Sequence, residues 1–341
     1  TGSTILPNIE VIPRSLLFWR SLTHWIGGLG IVVITMAILP IFGFNGSQIY
    51  TAEVTGLSKE KLHPKISGTA KRLFIIYLVM SFSGIAALWL AGMSPFDAVN
   101  HALSTVSTGG FSTKNTSIAY WHSPAIEWII IVLMTGSAIN LSLYYFLAVG
   151  NFRRFFKDEE MRTLIAIIVS TAAIIVFTQL IFWGFPLEDI GENVRGALFT
   201  VSSLISTTGF YSVDYSGWIS VAYMLLLLTF VGGSAGSTSG GIKVIRVLLV
   251  FKYCYYEFKR MIHPHAVFPV RYNGRAVKEE YITRMLAFIL LYVILSLFGA
   301  MILCISGLGF EESISSMVSC LGNVGPGLGH LGPLDNYQSL P

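Results

Sequence analysis

The chain has 341 residues, 53% of them hydrophobic and only 12% charged, with 22 Lys and Arg against 18 Asp and Glu. Soluble domains carry about 25% charged residues, so the composition leaves a membrane protein or an unusually dry core, and length decides between them. The formal net charge of +4 says little by itself, and the three cysteines, Cys254, Cys304 and Cys320, fit no metal or disulfide spacing.

Taken in chain order, long apolar stretches occupy residues 15–42, 73–92, 125–150, 163–185, 218–251 and 282–308. A helix crosses a bilayer of roughly 30 Å with about 20 apolar residues, so all six are expected to span it. Lys and Arg concentrate in the connections 43–72, 151–162 and 243–284, which the positive-inside rule places in the cytoplasm. No signal peptide opens the chain. His24 and Trp25, within the first span, read as interfacial anchors. The spans carry almost no ionisable groups, which speaks against a proton relay. No nucleophile–base arrangement or paired intramembrane carboxylates are present, so no enzyme activity is expected. His263 and His265 flank Pro264 without further ligands and read as surface residues. Tyr253, Tyr255, Tyr256 and Phe258 beside Lys252 and Lys259 read as a membrane-interface belt, not a nucleic-acid site.

The outer connections, 93–123, 186–217 and 309 to the end, share one plan. Each opens with acidic residues: Asp97, then Glu188, Asp189 and Glu192, then Glu311 and Glu312. Each continues with a half-length apolar helix. Each ends in small polar residues and glycine: Ser107-Thr108-Gly109-Gly110-Phe111, Thr207-Thr208-Gly209-Phe210 and Asn323-Val324-Gly325-Pro326-Gly327. The runs ALSTVSTGGF and SSLISTTGF are similar enough to be repeats. Thr1-Gly2-Ser3-Thr4, followed by a span, matches the second half of the same unit. The chain therefore divides into units at 1–72, 73–162, 163–281 and 282–341. The repeating pattern is span, short helix, glycine loop, span, incomplete in the first and last units. The start at Thr1 and the stop at Pro341 within a loop suggest a piece of a longer protein.

Irregular backbone at membrane depth is tolerated only where protein buries it or water lines it. Loops of this kind around one axis would offer a ring of carbonyls to replace a cation's hydration shell, as in K⁺ filters. Glycine permits φ > 0 and a close approach. The candidate ion-binding residues are Thr1, Gly2, Ser107, Thr108, Gly109, Thr207, Thr208, Gly209, Asn323, Val324 and Gly325, with Gly2, Gly109, Gly209 and Gly325 expected at one depth. The negative C-terminal ends of the short helices would aim at these loops and favour a cation. One such loop alone would read as an ordinary helix C-cap; recurrence at the same place in each unit favours a pore.

A second candidate element interrupts the span 218–251. Gly232-Gly233-Ser234-Ala235-Gly236-Ser237-Thr238-Ser239-Gly240-Gly241, followed by Lys243, cannot hold a continuous helix in lipid, and its freed backbone groups need water or protein partners. A gate is the favoured reading over close helix packing through small residues. The run does not fit a phosphate-binding loop, since Lys243 follows Ile242 and precedes Val244 and no strand leads into it.

These motifs carry a family resemblance over essentially the whole chain. FWRSLTHWIGGLGIVVITMAILP, the loops STVSTGGFST, STTGFYSVDY and GNVGPGLG, and GGSAGSTSGGIKVIR resemble the Trk/Ktr/HKT superfamily of cation transporters, most of all its bacterial TrkH/TrkG branch. TGSTI resembles the tail of that family's first filter. The resemblance implies an all-α integral membrane fold of four pseudo-symmetric helix–pore loop–helix units around one K⁺ pathway. It also implies a homodimer in the bacterial cytoplasmic (inner) membrane, K⁺ as the transported ion with no cofactor in this subunit, and a cytosolic, TrkA-like nucleotide-binding ring as partner. Against the family pattern, the first unit lacks its outer and pore helices, and the fourth lacks the final span with its pore-facing basic residue. Three alternatives rank lower. In a Na⁺-conducting member Ser replaces the first filter glycine, where Gly2 stands here. An organic-solute transporter calls for inverted repeats and only two broken helices. A non-conducting structural subunit would not need repeated glycine loops.

Overall fold

The computed structural model describes residues 4–6, 8–30, 66–182, 186, 189–263, 265–332, 334 and 337–339. Among them the chain is helical apart from one two-stranded hairpin. Helix α1 (Arg14–Trp25) passes into a π-turn, Ile26–Gly30. Thr1, Gly2, the continuation of the first expected span and most of the first basic connection lie outside the described residues. The second unit comprises α2 (Ile66–Leu90), the short α3 (Pro95–Val106), α4 (Pro124–Ala138) and α5 (Leu141–Ala148). After a brief α6 (Phe152–Lys157) come α7 (Glu159–Phe182), the short α8 (Ile190–Ile205), α9 (Ala222–Val231) and α10 (Val244–Ile262). The hairpin β1 (Arg271–Tyr272) and β2 (Arg275–Ala276) precedes α11 (Glu279–Ile305) and the short α12 (Phe310–Gly322).

Among the described residues, Lys71–Leu90, Glu159–Phe182 and Glu279–Ile305 are long and apolar enough to cross a membrane alone. The expected span 125–150 is not one straight helix: α4 and α5 meet at 101°. Ile139 is extended there, and Asn140 caps α5 by accepting the Ser142 N–H at 2.9 Å. A side-chain cap of this kind offers the backbone an alternative to continuing the helix.

Two kinds of helix result. The long α11 leaves Leu290, Leu291, Ile294, Leu297, Phe298 and Met301 exposed, a lipid-facing surface. The short helices are instead enclosed, and rich in small and hydroxyl residues that let neighbours approach: Ala98, Ala102, Ser104 and Thr105 in α3, Ala197, Ser202 and Ser203 in α8, Ser313, Ser316 and Ser319 in α12 are all buried. Their starts are specified locally. Ser94 accepts the Asp97 N–H at 3.1 Å ahead of α3, with Pro95 in the first turn. Glu312 accepts the Gly309 N–H at 3.2 Å ahead of α12. Acidic residues here complement the positive helix end.

The packing repeats from unit to unit. Helix α3 lies against α2 of its own unit, α4 that follows it, and α1 of the preceding unit. In the same way α8 lies against α7, α9 and the preceding α4, and α12 against α11 and the preceding α9. The segments following the glycine loops are tied in sequence around the outer side. Ile9 N–H donates to Asn115 Oδ1 at 2.7 Å, and Ile118 N–H to the Tyr211 carbonyl at 3.2 Å. Gly332 packs so closely on Ser216 that a Cβ would lie 2.8 Å from its hydroxyl oxygen. Tyr337 N–H then donates to the Thr4 carbonyl at 2.9 Å, which brings the circuit back to its start.

Candidate functional site

Each short helix ends in the same backbone device. Thr108, Thr207 and Asn323 follow the helix in the left-handed region, at φ 53°, 58° and 60°. The next residue's N–H returns to a carbonyl inside the helix: Gly109 to Ser104 at 2.8 Å, Thr208 to Ser203 at 2.9 Å and Val324 to Ser319 at 2.9 Å. One residue further, Gly110, Gly209 and Gly325 again have positive φ, 81°, 83° and 120°. A side chain is costly in that region, which is why glycine stands there. The structural register therefore pairs Gly110, not Gly109, with Gly209 and Gly325. The sequence expectation aligned Gly109 because it is the first glycine after threonine, whereas the dihedrals place it opposite Thr208 and Val324.

Of the other candidate residues, Ser107, Thr108, Thr207, Thr208 and Val324 are buried and Asn323 is exposed. Neighbouring loops touch directly, since a Cβ on Gly209 would overlap the Val324 carbonyl oxygen. Gly109 has its own reason to lack a side chain: a Cβ would fall on the His24 ring. His24 and Trp25 thus differ from the interfacial role expected of them. His24 stacks on Phe111 at 3.9 Å between ring centroids, Arg20 covers Phe111 at 4.0 Å, and Trp25 Nε1 donates to Ser81 at 2.9 Å. These side chains join the first inner helix to the second unit's loop.

Gly232 to Gly241 and Lys243 form a compact, non-helical crossing between α9 and α10, with Gly232, Gly233, Ser234, Ala235, Ser239 and Lys243 buried. Its backbone groups find partners in other units. Ser234 N–H donates to the Ala138 carbonyl at 2.8 Å, and Leu141 N–H donates to the Gly236 carbonyl at 3.1 Å. Those bonds satisfy the groups freed by the bend between α4 and α5. Internally, Gly233 N–H donates to Ser239 Oγ at 3.1 Å, Ser237 Oγ lies 2.6 Å from it, and the Lys243 ammonium donates to the Ser239 carbonyl. Lys243, counted in sequence with the basic cytoplasmic residues, is thus buried within the crossing, held at φ 85°.

The crossing meets the ends of all three short helices. Thr238 Oγ1 donates to the Val106 carbonyl at 3.0 Å, at the end of α3. Gly240 N–H donates to Thr207 Oγ1 at 2.7 Å, just past α8. A Cβ on Gly240 would overlap the carbonyl oxygen of Gly322, the last residue of α12. The helix ends carry partial negative charge, so the crossing sits against three electronegative helix ends.

Two contributors were not singled out from sequence. Glu160, 2% exposed, accepts the Ala235 N–H at 2.7 Å and the Ile245 N–H at 3.2 Å, pinning both sides of the crossing to the start of α7. The second is the turn Asn273-Gly274, with φ 47° and 77°, which closes the hairpin. Asn273 donates to Asp158 at 2.7 Å and accepts the Glu159 N–H at 2.9 Å, while Lys252 pairs with Glu159 at 2.5 Å. Burial and the neighbouring carboxylates of Glu160, Asp158 and Glu159 push the Tyr272 hydroxyl pKa well above its usual range. Ala235, Ile245, Leu249, Val270, Ile282 and Met285 form one apolar cluster joining hairpin and crossing. Among the described residues no group of His, Cys, Asp and Glu could hold a metal ion.

The lipid-facing spans and enclosed re-entrant helices define an integral membrane protein of the all-helical, helix–short helix–helix class. The family model for TrkH, a cation transport protein, matches residues 1–334, and the chain belongs to that family. The Trk system potassium uptake protein TrkH of Salmonella typhimurium is 36% identical over 344 residues, covering 100% of this chain and 70% of the relative. TrkG of Escherichia coli is 33% identical over 332 residues, covering 96% of this chain and 68% of the relative. The crystal structure of the potassium transporter TrkH from Vibrio parahaemolyticus is similar with a TM-score of 0.84 at 32% identity, covering 99% of this chain and 69% of that one.

Proposed function

We propose that this chain mediates potassium uptake across the bacterial cytoplasmic membrane, with the glycine loops as its ion filter and the glycine-rich crossing as its gate. Potassium uptake follows the names of its relatives in the TrkH family. The observation that carries the filter-and-gate reading is the meeting of one non-helical crossing with the ends of all three described short helices, directly behind three loops of matching dihedrals. Loop carbonyls of Thr1, Gly2, Ser107, Thr108, Gly109, Thr207, Thr208, Gly209, Asn323, Val324 and Gly325 replace water around K⁺. In this reading Gly110 joins them, as the register partner of Gly209 and Gly325. The subunit works as a homodimer with K⁺ as cargo and no cofactor of its own.

A cytosolic, TrkA-like nucleotide-binding ring would act through the hairpin and α10, since both share the apolar cluster with Ala235 of the crossing. Such a partner must prefer one conformation of the crossing to shift it; contact alone shifts nothing. The test is flux of K⁺ and Na⁺ into liposomes holding the full-length protein, with and without the ring, beside a variant lacking residues 236–239. Selective K⁺ flux, with basal flux raised in the deletion, is expected. No preference for K⁺ removes the filter reading, and a folded deletion that stays closed without the ring removes the gate.

A further inference from the structure

We propose that Ser104, Ser203 and Ser319 are positioning residues that fix the shape of the ion-selecting loops, an inference that rests on those loops being the filter. The three occupy one structural position, four residues before the left-handed residue that ends each short helix. All are buried, at 0%, 1% and 1% exposure. A serine within a helix usually turns its hydroxyl back to a carbonyl of the preceding turn. Neighbouring residues here do so: Thr105 donates to His101 O at 2.5 Å and Ser107 to Leu103 O at 2.8 Å.

The three serines send their hydroxyls forward, across the loop. Ser104 Oγ accepts the Phe111 N–H at 2.8 Å, Ser203 Oγ donates to the Phe210 carbonyl at 2.5 Å, and Ser319 Oγ accepts the Gly325 N–H at 2.9 Å. Each serine also receives, on its own carbonyl, the N–H of Gly109, Thr208 or Val324. Each of these three loops is therefore clasped twice by one residue, once where it leaves the helix and once at or next to its second positive-φ residue, the glycine. The peptide units between the two clasps, with the carbonyls of Gly109 and Gly110, of Thr208 and Gly209, and of Val324, are fixed in direction, and they are part of the stretch assigned to the ion. A hydroxyl can accept or donate, which lets the same residue type hold an N–H in two loops and a carbonyl in the third. Helix α1 reinforces one clasp, since His24 Nδ1 lies 3.3 Å from Ser104 Oγ.

A residue that merely fills space would alter stability and leave ion discrimination alone; a clasp sets the discrimination. The experiment compares Ser104→Ala, Ser203→Ala and Ser319→Ala in the full-length protein, with Thr105→Val as a buried control whose hydroxyl serves only its own helix. K⁺ and Na⁺ uptake into liposomes is measured in competition and normalised to folded protein by size exclusion and melting. The K⁺-to-Na⁺ ratio is expected to fall roughly fivefold in each serine variant, the equilibrium weight of one ordinary hydrogen bond, and to hold in Thr105→Val. An unchanged ratio in folded serine variants overturns the proposal. Where an alanine variant does not fold, Ser→Cys at the same position decides, because it keeps the shape with only a weak hydrogen bond. A wild-type protein without K⁺ preference would instead sink the filter reading itself, a separate result.

Discussion

Replacing Glu160 offers a quantitative test of the gate. Its Oε1 accepts two N–H groups of the crossing and its flank, Ala235 at 2.7 Å and Ile245 at 3.2 Å, and the residue is 2% exposed, so no water stands ready to take over. Glu160→Ala leaves both donors buried and unpaired, at about 1–3 kcal/mol each. The lower figure for the pair, about 2 kcal/mol, moves an equilibrium about 30-fold. If the seated crossing is the closed state, basal K⁺ efflux from liposomes without any cytosolic partner rises by about that factor. Glu160→Gln keeps a carbonyl oxygen at the same reach and is expected to leak only slightly. The assay is efflux read by a K⁺-sensitive dye, with melting in detergent as the folding control. A folded Glu160→Ala protein no leakier than wild type, or a Glu160→Gln protein as leaky as alanine, refutes the reasoning.

Gly209→Ala places a Cβ at φ 83° and onto the Val324 carbonyl oxygen, so backbone strain of about 1–2 kcal/mol is added to a displaced loop; the K⁺-to-Na⁺ flux ratio is expected to fall, and a ratio equal to wild type would remove Gly209 from the filter. Gly110→Ala is expected to behave in the same way because it shares that register. Between units, Arg195 and Glu127 pair at 2.6 Å with side chains only 17% and 12% exposed. Glu127→Ala should cost about 3 kcal/mol by stranding a mostly buried cation, seen as a lower melting temperature in detergent, while an unshifted melting curve would show that the pair carries no stability.

Much of the plan is legible in the sequence because it depends on chemistry confined to short windows. The apolar runs that became α2, α7 and α11 need only length. The short helices announce themselves through Asp97, Glu192, Glu311 and Glu312 in their first turns. Features that depend on a partner far along the chain were not legible. The bend at Ile139 and Asn140 falls within one long, mostly apolar run in sequence, and its freed backbone groups are met by Ser234 and Gly236, nearly a hundred residues on. Glu160 sits just before an apolar run, where a solvated carboxylate is the ordinary expectation; only the fold shows two amide groups aimed at it. The offset between Gly109 and Gly110 is likewise a matter of dihedral angle, which a glycine pair leaves open.

The bonds between the second unit's bend and the crossing have a consequence for how many parts must move. The Ala138 carbonyl accepts from Ser234 of the crossing and the Leu141 N–H donates to Gly236 of the crossing. Withdrawal of the crossing would expose a raw break within an otherwise hydrogen-bonded helix pair. Either water follows it in, or the bend straightens and recovers its own ladder. The second route would swing α5 through a large fraction of its 101° and carry α6 with it, since the two helices pack together. In the proposed gate, a latch in one unit would then set off the travel of a lever in another.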